Sequence, residues 1–435
     1  MTDQASKSTF FRQSGWMVIA TVGGGVFMSA VHSVAAIMQE EEYGVFFTLL
    51  RCLVLFGIPA GGLQTILAQQ TAAAVTDSQT RQLAAMFRAV LRGVFLIWVA
   101  LAILLLFTQG AIERTLKITN PAALWTTAVV ILTSIWIPAV KGVMQGQQNF
   151  FGLGCTAILD GIGRFSALWI IVGALGGQAA GGMTGVLLGQ LAALGLALWT
   201  TRHVFTGAGE PFDATTWRQQ ILPLTVAPAG LLILQTTDVI FIQSIFPADQ
   251  SPFYMPPAMI GFALVQFTGP LAAVMYPKIV RSAARAEKSD ALKLALGTTA
   301  LLGIVAASAA TLLPELPLRI LYFTKPIYWQ CAPLVPWFAW CMVLLTLGNA
   351  LATNLLARGK FAISGILLVL AAAYAATLWL LRDRLLAMEM FAAFKLVVQT
   401  MTLFNLALLL IAAWLTWGLG QSKRTTAPAM AVVPK

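Results

Sequence analysis

Phe56-Gly57-Ile58-Pro59-Ala60-Gly61-Gly62 sits inside one long apolar run, and Phe267-Thr268-Gly269-Pro270-Leu271-Ala272-Ala273 sits inside another. The Phe and the Pro keep one offset between the two copies, and Tyr43 and Tyr254 keep the same one. After a slip of two residues the match resumes through Ala68/Pro277, Leu83/Leu292 and Leu104/Leu313. The chain therefore reads as one unit written twice.

Composition says what kind of unit. Of 435 residues, 59% are hydrophobic and 10% charged, and the mean hydropathy is +0.82. A soluble domain carries roughly 25% charged residues, so most of this surface must face lipid. The apolar runs, about 20–25 residues each, match a hydrocarbon core about 30 Å thick. They are too long for porin strands, which alternate over about 10 residues. Twelve spans are predicted, over 14–38, 44–68, 83–107, 121–145, 151–173, 180–202, 219–246, 254–277, 291–313, 330–356, 361–381 and 393–417. The expected fold is an all-α integral membrane protein of about twelve transmembrane helices in two six-helix bundles. The N-terminal bundle takes residues 1–206, a linker 207–218, the C-terminal bundle 219–420 and a tail 421–435. Six spans per unit is an even number, so both halves insert the same way round. That makes them parallel repeats, with a substrate site expected between them near the midplane.

Charge sets the orientation. Of 27 Lys and Arg, eighteen fall on the side of the N-terminus and seven on the other, with Arg51 and Arg164 inside spans. Lys141 is counted with the eighteen. Positive loops stay cytoplasmic, so both termini are expected inside. Glu40 to Glu42, Lys117 and Lys325 are expected outside, and Arg81, Arg285 and Lys360 inside. The formal net charge of +11 then describes the cytoplasmic rim and gives no reason to expect nucleic acid as a partner. The basic N-terminus precedes an apolar stretch longer than the 7–15 residues of a signal core, so an uncleaved first span is expected.

Catalytic and cofactor signals are weak. Cys52, Cys155, Cys331 and Cys341 form no C-x-x-C pair, so neither a disulfide framework nor a metal site is expected. His32 and His203 have no ligand-spaced partners. There is no G-x-x-x-x-G-K phosphate loop, and the glycines of Gly152 to Ala157 follow no strand. The expectation is a protein that is not an enzyme and holds no cofactor.

The informative residues are the polar ones inside spans. Asp160 and Arg164 stand four apart on one helix face, carboxylate first, the favourable order. Either they staple helices together, or they line a polar path, since intramembrane charges face the bundle interior or a water-filled cavity. His32, Arg51 and Asp238 lie in the central-to-external part of spans one, two and seven. Arg51 stands about 10 Å deep by helix rise. No carboxylate occupies 47, 48, 54 or 55, so its partner must come from another helix, water or a ligand, unless it snorkels to the headgroups. Gln64, Gln235, Gln243 and Gln266 add hydrogen-bonding groups, for helix contacts or for a ligand. Pro59 and Pro270 sit mid-span, where each removes a backbone donor and bends its helix, for gating or for curvature alone. Pro223 and Pro228 break span seven similarly. The ladder Gly177, Gly181, Gly185, Gly189, Ala193, Ala197 lets another helix approach span six closely.

Several short stretches carry a family resemblance. Glu42-Tyr43-Gly44-Val45-Phe46 opens span two after an acidic turn. Gln145-Gly146-Gln147-Gln148-Asn149-Phe150 precedes span five, and Ala357-Arg358-Gly359-Lys360-Phe361 precedes span eleven. With two six-span halves, the chain resembles the oligosaccharide-lipid and polysaccharide flippases of the multidrug/oligosaccharidyl-lipid/polysaccharide superfamily. The resemblance implies a V-shaped pair of bundles whose spans one, two, seven and eight line a cavity that opens to each membrane face in turn. It implies a bacterial cytoplasmic (inner) membrane location, lipid-linked glycan substrates, contacts with membrane lipids, and other membrane proteins of polysaccharide assembly as partners. The substrate-facing set would be Arg51, Asp238 and His32, with Arg164, Asp160, Gln64 and Gln235 nearby. Two span arginines are a modest supply for a strongly anionic substrate. The alternative within the superfamily is a cation-coupled multidrug or small-molecule antiporter. Those carry an acidic group in the first span, where this chain has His32. A membrane scaffold that transports nothing is the third expectation.

Overall fold

The structure, a computed structural model, describes residues 2–212, 225, 229–265, 291–357, 360 and 362–418. Pro223, Pro228, Gln266, Arg285, Pro270 and the second copy of the repeated motif lie outside those residues. Among the described residues there is no strand. That is what lipid requires, because only a helix or a closed barrel satisfies every backbone group away from water.

Helix α1 runs Thr2–Ala35, α2 Glu40–Phe56, α3 Ile58–Ala73, α4 Asp77–Leu116, α5 Pro121–Gly146, α6 Phe150–Leu168 and α7 Ala179–Phe205. The later elements are α8 Thr237–Ile245, α9 Ser251–Val265, α10 Ala291–Leu312, α11 Glu315–Leu321, α12 Val335–Ala357, α13 Ala362–Leu380, α14 Arg382–Leu386 and α15 Met390–Ala413. Among the described residues, seven helices are long and apolar enough to cross a membrane, and two bent pairs bring this to nine. The protein is a multi-pass membrane protein.

Helix ends follow local chemistry. Thr76 Oγ1 accepts from the Gln79 N–H at 3.3 Å while Gln79 Oε1 accepts from the Thr76 N–H at 3.0 Å. This reciprocal cap starts α4 at Asp77, upstream of the apolar run. Asn120 caps α5 ahead of Pro121, and Asn149 Oδ1 accepts from the Gly152 N–H at 2.9 Å to start α6. The second predicted span is two helices: α2 and α3 meet at 44°. Gly57 makes the break, and Pro59 falls in the first turn of α3. Its missing N–H costs nothing there, since first-turn donors have no helical partner.

Two compact units emerge. The first gathers Met1–Leu232, Val239–Pro256 and Leu318–Trp329; the second takes Ile233–Asp238, Pro257–Pro317 and Gln330–Lys435. In the first unit α6 packs against both α1 and α7, α5 against α7, and α3 against α5. Close approach has identifiable causes. A Cβ at Gly189 of α7 would stand 2.5 Å from the Arg164 backbone nitrogen on α6, and one at Gly142 of α5 would meet the Gln64 backbone on α3. Leu63, Ile66, Leu67, Phe87, Val140, Val143 and Leu194 form the apolar core between these helices. The polar stretch after α7 stays with this unit: Arg81 Nε and Ser78 Oγ donate to the Glu210 carboxylate at 2.5 and 2.6 Å. Those bonds, Ser78's first, hold the Glu210 carboxyl below the usual carboxylate range. In the second unit α12 packs against α15 and α10.

Candidate functional site

Two polar clusters occupy the first unit, one at an end and one within the spans. At the end bearing the acidic turn, His32 of α1 is buried beside Tyr43 of α2, with the Tyr43 hydroxyl 3.3 Å from His32 Nδ1. The same hydroxyl lies 2.7 Å from the Tyr322 hydroxyl. Tyr43, Tyr322 and Tyr328 pack ring to ring at 5.4–5.9 Å, all fully buried. The Arg51 guanidinium covers the Phe47 ring at 4.7 Å and acts electrostatically on His32 and Tyr43. Lys325 Nζ donates to the Met38 carbonyl at 3.0 Å and pairs with Glu40 at 2.8 Å. Glu42 accepts from the Ala179 N–H at 2.9 Å, at the start of α7, and from the Thr119 hydroxyl. Glu40, Glu42 and Lys325 therefore share one end of the first unit. Gln243 belongs to the same end and is structural. It donates to the Leu116 carbonyl at 3.0 Å and accepts from Ser251 at 3.1 Å. Beside it Lys117 donates to the Gln243 carbonyl, and burial lowers the Lys117 ammonium to about 8.

The second cluster lies deeper and towards the other end. Arg164 grips Asp160 with two bonds, Nε to Oδ1 at 2.8 Å and Nη2 to Oδ2 at 2.9 Å. The side chains are only 11% and 15% exposed. Gln190 of α7, its amide oxygen turned to the guanidinium, accepts from Arg164 Nη2 at 3.0 Å and from Ser134 Oγ at 2.9 Å. Its nitrogen donates to the Val130 carbonyl at 3.3 Å. The pair is thus hydrogen-bonded through Gln190 to α5 and α7. Lys141 of α5 completes the group: Asp160 and Arg164 are the charges that act on it. Beside them opens a cavity of about 350 Å³ walled by Met17, Thr21, Gln64, Lys141, Gln145 and Phe150, with Leu153 and Ala157. Gln64 Nε2 donates to Gln145 Oε1 at 3.3 Å across it.

The remaining predicted residues are in the second unit. Asp238 of α8 is fully buried there, within electrostatic reach of Cys341 and Tyr374. Asn405 Nδ2 contacts Cys341 Sγ at 3.2 Å. Gln235, just before α8, is half-buried. Within the first unit the predicted set falls in two places, His32 with Arg51, and Asp160 with Arg164 and the Gln64 cavity; Asp238 and Gln235 belong to the second unit. All four cysteines are free. Among the described residues no group of His, Cys, Asp or Glu is arranged to hold a metal ion.

The residue missed in the sequence is Lys141. It falls within four positions of the predicted end of span four, where the sequence alone assigns it to the cytoplasmic rim. The signal available was its place before Gly142, a glycine that lets α3 close over that side of α5.

No family model matches the sequence, and no curated protein does. Solved structures do match. An inward-facing multidrug resistance MATE family transporter of the MOP superfamily superposes with a TM-score of 0.70 at 12% identity, over 94% of this chain and 96% of that one. Lipid II flippase MurJ, inward closed, gives 0.71 at 13% identity, over 91% and 87%. A MOP superfamily transporter from Pyrococcus furiosus gives 0.61 at 12% identity, over 94% of each chain. The helical fold of this chain is that of the MOP superfamily transporters.

Proposed function

We propose that the protein is a transporter that moves a lipid-linked oligosaccharide or polysaccharide precursor across the cytoplasmic membrane by alternating access. The observation that carries this reading is the sign of the charge inside the first unit. Between Glu113 and Glu210 the chain has a single acidic residue, Asp160, and Arg164 already grips it. Lys141 lies in the same interior as a second cation. Two cations around one carboxylate favour an anionic passenger over the cationic drugs of a cation-coupled exporter. Arg51 suits phosphate oxygens because a guanidinium offers a planar fork, where lysine offers a point charge.

The antiporter reading rests on Asp238, a fully buried carboxylate in the second unit. One experiment separates the two. The purified protein is reconstituted in vesicles loaded with a fluorescent lipid-linked oligosaccharide, and leaflet exchange is followed with an impermeant glycosidase. Parallel vesicles are assayed for ethidium uptake under a sodium or proton gradient. Glycolipid exchange without gradient-driven ethidium movement is expected, and the reverse pattern refutes the proposal.

A further inference from the structure

The cavity beside Lys141 lies wholly within the first unit. Its walls come from α1, α3, α5 and α6, so it is formed within one half of the molecule. Three facts bear on what it holds. First, its surroundings are electrically unbalanced: Lys141 and Arg164 face one carboxylate, Asp160, whose two oxygens are both taken by Arg164. Among the described residues none forms an ion pair or hydrogen bond with the Lys141 ammonium. A surplus charge inside a membrane protein is costly, and such groups mark ion or substrate sites. Second, the other polar walls, Thr21, Gln64 and Gln145, carry hydroxyl and amide N–H donors. Third, the rest of the wall is Met17, Phe150, Leu153 and Ala157, an apolar flank on the same space. A volume of about 350 Å³ is at the small end of ligand pockets, about 300–1,000 Å³. It admits a headgroup and the start of a chain.

We propose that this cavity is a binding site for the phosphate headgroup of a polyprenyl-type lipid, with Lys141 as the anion contact, Thr21 and the Gln64–Gln145 pair as hydrogen-bond donors, and Met17 and Phe150 against the first isoprene units. The inference rests on the transport reading above and deepens it by placing the lipid end of the substrate inside the first half. Asp160 and Arg164 are positioning residues here: they set the local charge and do not touch the ligand.

Farnesyl phosphate is the probe, with farnesol and inorganic phosphate as comparators, on the full chain in nanodiscs of neutral lipid. Saturable binding of farnesyl phosphate is expected, with farnesol and inorganic phosphate each at least tenfold weaker. Lys141→Gln should weaken farnesyl phosphate at least tenfold, and Lys141→Arg should restore most of it. Lys141→Gln removes an unbalanced charge and should melt no lower than the parent. A folding defect in it would not blunt the test. Ala157→Cys, on the cavity wall and in a background with the four native cysteines replaced, should be shielded from a maleimide by farnesyl phosphate and not by farnesol. Inorganic phosphate binding as tightly as farnesyl phosphate would overturn the lipid assignment and leave a free-anion site. Equal binding to parent and Lys141→Gln, or farnesol shielding Ala157→Cys equally, would overturn the site itself. The two readings fail separately. Intact binding with no glycolipid exchange sinks the transport reading alone, and glycolipid exchange with no farnesyl phosphate binding sinks this one alone.

Discussion

Arg164 holds Asp160 in a doubly hydrogen-bonded pair four residues along one helix, and Lys141 makes the two ends of that pair unequal. Breaking a buried pair by removing one partner costs about 3–5 kcal/mol, because the other charge is stranded. Here the stranding is asymmetric. Asp160→Asn leaves Arg164 and Lys141 as two cations without their shared carboxylate, whereas Arg164→Gln leaves Asp160 with Lys141 still acting on it. Asp160→Asn is therefore expected to lower the melting temperature of the purified protein more than Arg164→Gln, and the double variant should recover most of the loss. Equal single effects, or a strictly additive double, would remove Lys141 from the network. Arg51 has a different expected signature. It is half-buried against Phe47, so Arg51→Lys should express and melt like the parent yet lose most glycolipid exchange, and Arg51→Ala should lose more. Full exchange by both variants at matched protein levels would leave Arg51 as a packing residue.

Among elements, the segment from Leu318 to Trp329 shows how far local pattern carries. Its basic residues, Arg319 and Lys325, placed it outside the membrane from sequence, but nothing in its pattern tells that Tyr322 and Tyr328 are buried against Tyr43. Those rings are far apart in the chain, and no periodicity links them. The bend at Gly57 was half legible: Pro59 announced a break, but its position in the first turn of α3 depends on where α2 stops. The small-residue ladder of α7 was legible outright, because a four-residue spacing states its own face, and α6 lies against it at Gly185 and Gly189. The Leu318–Trp329 segment has two anchors of unequal size. The Glu40–Lys325 pair is a quarter exposed on each side, and such pairs contribute about 0–1 kcal/mol. The Tyr322 ring is fully buried, and truncating a buried aromatic to Ala costs about 3–5 kcal/mol. Lys325→Ala should thus barely move the melting temperature. Tyr322→Phe should cost about 1 kcal/mol for the lost hydroxyl contact, and Tyr322→Ala several times that. A Lys325→Ala loss as large as that of Tyr322→Ala would make the ion pair the anchor.

At the scale of the whole molecule, the helical class and the membrane-crossing character were readable because lipid imposes a length and a composition on every crossing segment. Lys141 was not readable, because a charge near a span end looks the same whether it reaches the rim or turns inward. Orientation stands between these cases, since it rests on a sum over many loops. The structure brings Glu40 and Lys325 together at one end, and Ser78 and Arg81 together with Glu210 after α7. Glu40 and Ser78 are separated by the single span formed of α2 and α3, so their ends must face opposite sides of the membrane. The basic side is the cytoplasmic one if the excess of Lys and Arg decides insertion. In a background with its four native cysteines replaced, Glu41→Cys should react with an impermeant maleimide in intact cells, while Ser78→Cys should react only after the membrane is opened. Both positions are within a few residues of helix starts, so neither probe depends on a long loop. Labelling of Ser78→Cys but not Glu41→Cys in intact cells would invert the topology. It would also put the Lys141 cavity nearer the outer leaflet, where it would receive the lipid headgroup after transfer and not before it.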